Sequence, residues 1–210
     1  METQNEIKDV YIRKTYPWKT ADKVPANYIK KWFASISKET KTPVTTQLVK
    51  WIHNFVGSIH CFRCVRLNDC CFNSSNMPEI PLHDRCHCYT ESIPYNQVLA
   101  EAKSESDYSK FDPYLFNRDN KYTHGKEKLF EKWGYTIDDA KWLQAEIERQ
   151  GREKYIAGNY VLGKLDLWGQ RINITIEIQR KDTGGIVSFE AGWMLKPNGK
   201  IILNTPYGGK

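Results

Sequence analysis

All six cysteines of this 210-residue chain lie between Cys61 and Cys88, and His60, His83 and His87 are interleaved with them. Cys61-Phe-Arg-Cys64 has the spacing of a zinc knuckle, in which a tight turn aims both sulfurs at one point. His83-Asp-Arg-Cys86 repeats that spacing downstream. Thiolate sulfur and imidazole nitrogen are the ligands Zn²⁺ prefers, and a tetrahedral ion needs four of them. The most economical set is Cys61, Cys64, His83 and Cys86. Cys88, two residues past Cys86, competes for the fourth position. A disulfide framework is the other use for an even number of cysteines. Against it stand the vicinal Cys70 and Cys71, which pair badly, and the interleaved histidines. Met1 to Lys14 also lacks the apolar stretch of a secretory signal. The expectation is a structural Zn²⁺ in a reducing compartment. Four protein ligands leave no coordination position for water, so the knot is a staple and not an active site.

The knot divides the chain. Residues 1–56 read as a basic helical arm, with 10 basic and 5 acidic side chains in the first fifty positions. Two short helices are expected there. One runs from about Ala26 to Ile36. The other starts at Pro43 after a Thr42 cap and carries Leu48, Trp51, Ile52 and Phe55 at helical spacing. Residues 57–98 hold the zinc-binding element, and 99–110, small and charged, read as a linker or a helix running into one.

Residues 111–210 are expected to form an α+β domain of helices followed by an antiparallel β-meander. Leu129, Phe130 and Trp133 mark a first helix. Thr136 caps a second, with Asp138 and Asp139 in its first turn, a stripe of Ala140, Leu143 and Ile147, and Gly151 closing or weakening it. Ile172, Ile174, Ile176 and Ile178 then alternate with polar residues, the two-residue period of a half-buried strand. Asp182–Gly185 turns into a strand through Ile186, Val187, Phe189 and Trp193. Pro197-Asn198-Gly199 turns again into Ile201–Leu203, and Tyr160–Leu162 is a further candidate strand. Trp133, Trp142, Trp168 and Trp193 read as core or core-edge residues, although an exposed one can stack a base. No apolar run approaches the roughly 20 residues of a membrane-spanning helix. The net charge of +6 favours polyanionic partners only weakly.

Cys61-x-x-Cys64, followed by Pro81-x-His83-x-x-Cys86-x-Cys88, resembles the cysteine-rich C-terminal element of Mu-type minor head (head-morphogenesis) proteins of tailed phages. That likeness covers about thirty residues. It implies a virion-associated zinc-binding structural protein whose partners are portal or capsid proteins. Asp112-Pro-Tyr-Leu-Phe-Asn117, His124-Gly-Lys-Glu-Lys-Leu-Phe130, Trp133-Gly-Tyr135 and a final Thr205-Pro-Tyr207 resemble a domain of unknown function. That domain recurs at the C-termini of bacterial polymorphic toxins and of some phage head proteins. The second likeness implies, by analogy, a metal-independent ribonuclease acting in the bacterial host cytoplasm.

Such an enzyme needs a proton acceptor, a proton donor and cations for the phosphate. His124 can move protons near neutral pH, Lys126 and Arg171 can meet phosphate, and Thr205 and Tyr207 can donate hydrogen bonds. Bland alternatives stand beside these: a solvated histidine, a helix-surface lysine, a strand-end salt bridge at Arg171. Three functions therefore remain open. The chain is a phage-associated structural protein, a ribonuclease effector acting on RNA, or a non-catalytic zinc-dependent nucleic-acid-binding module.

Overall fold

The computed structural model describes residues 48–55, 60–116 and 125–206. The expected helix over Ala26–Ile36 and the Thr42 cap lie outside them. The first described element is a strand, β1 (Leu48–Ile52), and not the helix its apolar spacing suggested. Leu48, Val49 and Trp51 are buried where β1 forms the centre of a three-stranded antiparallel sheet. It pairs with β2 (Cys71–Asn73) on one side and β3 (Tyr89–Ser92) on the other. Leu48, Trp51, Ile52 and Phe55 satisfy a helical period, but pairing on both edges satisfies the backbone here. Tertiary contact overrides a short local pattern. Between β1 and β2 lies α1 (Phe62–Leu67), whose Cys64 and Leu67 point inward.

After β3 come α2 (Tyr95–Glu101) and a short strand, β4 (Lys103–Glu105). The charged stretch expected as a linker or a helix running into one thus takes the end of α2 and then supplies an edge strand, parallel to the last strand of the second sheet. That sheet has the order β4-β8-β7-β6-β5, built from β5 (Val161–Asp166), β6 (Gly169–Gln179), β7 (Ile186–Lys196) and β8 (Lys200–Thr205). β5 to β8 form the expected antiparallel meander. The fold is α+β, with the cysteine cluster towards the N-terminal side and a β-rich C-terminal half. Ile172, Ile174, Ile176 and Ile178 are at most 2% exposed, and each such burial stabilises by roughly 1.5–3 kcal/mol. The β7–β8 turn uses Asn198 and Gly199, both at positive φ, the backbone twist a tight hairpin requires.

Two helices cover the isoleucine face. On α3 (Lys126–Lys132) Phe130 meets Phe189 of β7 edge-on at 5.3 Å. The long helix α4 (Ala140–Ile156) buries Ala140, Leu143 and Ile147 as expected, but it does not close at Gly151. Gly151 is buried in mid-helix against the ring of Trp193. Gln150, also buried, donates to the Glu177 carbonyl and accepts from its amide. That closes a stretch of β6 which β5 is too short to pair. Of the four tryptophans expected in the core, Trp133 and Trp193 are buried, whereas Trp142 and Trp168 are 50% and 73% exposed. Trp168 sits in the β5–β6 turn, and Trp142 lies on the outer side of α4, where neither can reach the core.

The 3-10 turn Ile137–Asp139, which leads into α4, begins with a reciprocal cap. The Thr136 amide donates to Asp139, whose carboxylate also meets Lys181 at 2.8 Å. Burial opposes the Asp139 anion, but the Lys181 and Thr136 contacts outweigh it and lower its pKa. A carboxylate with a depressed folded pKa adds stability above its unfolded value of about 3.9, and that stability is lost as pH falls through the folded value. Asp139→Asn should therefore cost about 1 kcal/mol at neutral pH. In urea titrations the gap to the parent should close on acidification through the lowered folded value, below which both side chains are neutral.

The cysteine-rich segment and the C-terminal half belong to one unit, Thr46–Lys210. The bonds between them are specific. Tyr155 donates to the Cys71 carbonyl at 2.6 Å, and Asn73 donates to the carbonyl of Ile156 at 3.1 Å. Asn76 donates to the carbonyls of Gly158 and Tyr160, and the Asn198 amide to that of Asp69.

Candidate metal centre

Cys61 is the N-cap of α1, in an extended conformation, and the Val65 amide closes the first turn onto its carbonyl. The backbone therefore turns sharply, which brings Cys61 and Cys64 together. A second tight turn, with Arg85 at positive φ and the Cys86 amide bonded to the His83 carbonyl, presents His83 and Cys86 from the facing loop. The two knuckles meet at Cys64, which is 1% exposed. Its sulfur lies 3.2 Å from His83 Nε2 and 3.8 Å from Cys86 Sγ. A tetrahedral ion bound about 2.3 Å from each sulfur places two sulfurs about 3.8 Å apart, so Cys64 and Cys86 already stand at ligand spacing.

The donor atoms of Cys61, Cys64 and His83 lie within 4.8 Å of one another, and so do those of His53, Cys64 and Cys88. These groups can hold a metal ion. His53 is the residue the sequence reading missed. It follows β1 directly, and its Nδ1 is 3.4 Å from Cys88 Sγ while its Nε2 is 3.2 Å from His60 Nδ1. Only the pairing of β1 with β3 brings it beside Cys88, and no spacing motif carries that information.

His83 Nδ1 donates to the Asp84 carbonyl at 2.7 Å, which leaves the Nε2 lone pair facing Cys64. Such a carbonyl–histidine pair orients imidazole ligands in metal sites. Burial pushes the Cys64 thiol up, helped by Cys88 and Cys86 beside it. For Cys86 burial acts in the same sense, but the amides of Cys88 and Leu82 outweigh it and bring the thiol to about 7. In Cys61 the amides of Cys64 and Arg63 likewise outweigh burial. Burial raises Cys88, opposed by the indole N–H of Trp51, which is buried without a partner of full hydrogen-bond geometry. Cys70 and Cys71 stand apart: both are buried, raised to about 12 and about 11 mainly by burial, and bonded to the backbone carbonyls of Arg66 and Asp69.

The residues proposed for phosphate chemistry are only partly assembled. His124 and Tyr207 lie outside the described residues. Lys126 Nζ meets Thr205 Oγ1 at 3.0 Å and stands 5.8 Å from the Tyr114 ring centroid, and burial lowers its pKa. Arg171 is elsewhere, paired with Asp166 at 3.0 Å on β6, two strands from Thr205. Its bland reading as a strand-end salt-bridge partner describes its position.

Residues 99–207, just over half of the chain, match the sequence profile of a family described as a domain of unknown function (DUF6883). No curated protein and no solved structure matches significantly. Among the described residues, no helix is long and apolar enough to cross a membrane.

Proposed function

We propose that this chain, which belongs to the DUF6883 family, is a zinc-stapled structural protein of the phage minor-head kind. The observation that carries the proposal is the convergence of donors on Cys64. Cys61, Cys64 and His83 form one donor group, and Cys86, 3.8 Å from Cys64, would complete a tetrahedral Zn²⁺ site with no position open for water. Cys88, raised by burial and adjacent to His53, supports the set from behind. The ion supplies cross-linking and no reaction. Its ligands come from the start of α1 and from the loop before β3, which the small sheet holds together, and that sheet is bonded to the DUF6883 domain. The phage likeness of the same cysteines names portal or capsid proteins as partners and the virion as the location. Elemental analysis of the full chain should give one zinc per molecule. Cys86→Ser should lose it and Cys88→Ser should keep it. Zinc-free protein from metal-replete cells would sink the staple, and absence of the chain from purified virions would sink the assembly role.

A second reading, RNA cleavage by the C-terminal half, is favoured by one contact, that of desolvated Lys126 with Thr205. An ammonium held there can stabilise charge on a phosphate, with His124 as the proton carrier. The test uses the full chain, because residues 111–210 alone would lack β4 and the bonds from Tyr155 to Cys71 and from Asn73 to Ile156. Induction in bacteria should arrest growth and degrade total RNA, and Lys126→Ala should relieve both. Normal growth with intact RNA would count against this reading.

A further inference from the structure

At the far end of β6 from the cysteine cluster, the β6–β7 turn and the start of α4 enclose an open cleft of about 510 Å³. The span of β6 puts the two ends about 33 Å apart. Tyr135, Asp139, Trp142, Gln179, Arg180, Lys181 and Gly184 line it. Trp142 is half exposed and lies parallel to Tyr135, with ring centroids 5.6 Å apart and planes within 14°. The Tyr135 hydroxyl donates to the Gln179 carbonyl, which fixes the platform to the end of β6. Beside this platform stand two cations. Lys181 Nζ is 5.8 Å from the Tyr135 centroid, and Arg180 leaves the same turn.

We infer that this cleft binds a nucleotide unit, with the base stacked on Trp142 and the phosphate on Arg180 and Lys181. A tryptophan kept half in water on a helix that buries its other large apolar residues contributes little to the core, and aromatic faces of this kind stack bases of any sequence. The cations select among flat ligands. Both cations already carry ion pairs, Lys181 with Asp139 at 2.8 Å and Arg180 with Asp182, and a phosphate would have to share them. Arg180 spends Nε and Nη2 on Asp182 and on the Lys132 carbonyl, and these pairs are solvent-exposed, so a phosphate can share them. Its Nη1 makes no bond among the described residues. Gln179 donates from Nε2 to the Gly184 carbonyl and keeps its side-chain oxygen Oε1 for a base amino group. The inference is independent of the metal centre, which lies at the other end of the sheet.

The experiment measures binding of 5′-AMP and of a ten-nucleotide oligoadenylate RNA to the full chain by calorimetry. Saturable binding of either probe is expected, weakened about tenfold or more by Trp142→Ala. The Arg180→Ala/Lys181→Ala double variant should weaken it and flatten its salt dependence. Equal affinity per site for both probes identifies the free nucleotide as the ligand, and binding of the oligomer alone identifies a strand. All three substituted side chains are at least partly exposed, and unchanged circular dichroism will show that each variant is folded. No binding of either probe at millimolar concentration, or unaltered affinity in Trp142→Ala, overturns the inference.

Discussion

In the Cys64→Ser protein the metal content should fall to near zero, and the thermal midpoint of the Thr46–Lys210 unit should drop by roughly 8–16 °C. Cys64 is the one thiol common to both donor groups, so no rearrangement of the remaining ligands replaces it. Structural zinc contributes about 10–16 kcal/mol in peptides that have no other core. This unit has a core of its own, so the share lost here is smaller, about 4 kcal/mol, and at this size each kcal/mol moves the midpoint by roughly 2–4 °C. Chelation of the parent should reproduce the drop, and chelation of Cys64→Ser should add nothing. Cys70→Ser is the control. That thiol is equally buried but bonded to the Arg66 carbonyl, away from the donors, so its substitution should cost about 1–2 kcal/mol and leave the metal in place. A Cys64→Ser protein that keeps its metal, or a parent indifferent to chelator, would refute a structural metal at this cluster.

What the sequence made legible follows from the range of its signals. The isoleucine alternation and the turns at 182–185 and 197–199 are local, with periods or residue types that only one structure satisfies, and the meander stands where they put it. The stripe of α4 is equally local. β1 failed for the opposite reason: five residues are too few to separate a strand from a helix turn, and its partners are some twenty and forty residues away. β4 failed because an edge strand with charged, exposed side chains carries no apolar pattern at all. Its three residues are held by main-chain pairing to β8 and by Ser104 bonding to the Glu148 carbonyl.

The site divides in the same way. Knuckle spacing named Cys61, Cys64, His83 and Cys86 because two residues per tight turn is a covalent constraint visible in one dimension. His53 could not be read that way. It reaches Cys88 through strand pairing, and a lone histidine after an apolar run has no motif. The aromatic cleft was hidden by the same shortcut that places tryptophans inside. Trp142 falls one position off the buried stripe of Leu143 and Ile147, and that offset was the available signal.

Gly151→Ala should destabilise the protein by about 2 kcal/mol, against the usual direction of that change. In a helix interior alanine is normally favoured over glycine by about 1 kcal/mol. Here the added Cβ would stand 2.5 Å from Cζ2 and 2.8 Å from Cη2 of Trp193. That ring is fully buried, and its strand is fixed on both sides, opposite Ile172 on β6 and Leu203 on β8, so it has nowhere to retreat. Overpacking of such a contact costs about 1–3 kcal/mol or more, which outweighs the helix gain. The corresponding fall in midpoint is roughly 4–8 °C. A double-mutant cycle isolates the cause. Trp193→Phe removes the atoms that collide, so the cost of Gly151→Ala should shrink by at least about 1 kcal/mol in that background. If Gly151→Ala is neutral or stabilising in the parent, the helix and strand are not in the contact described. The close approach of α4 to β7, which sets the layer spacing of the whole C-terminal half, would then need another account.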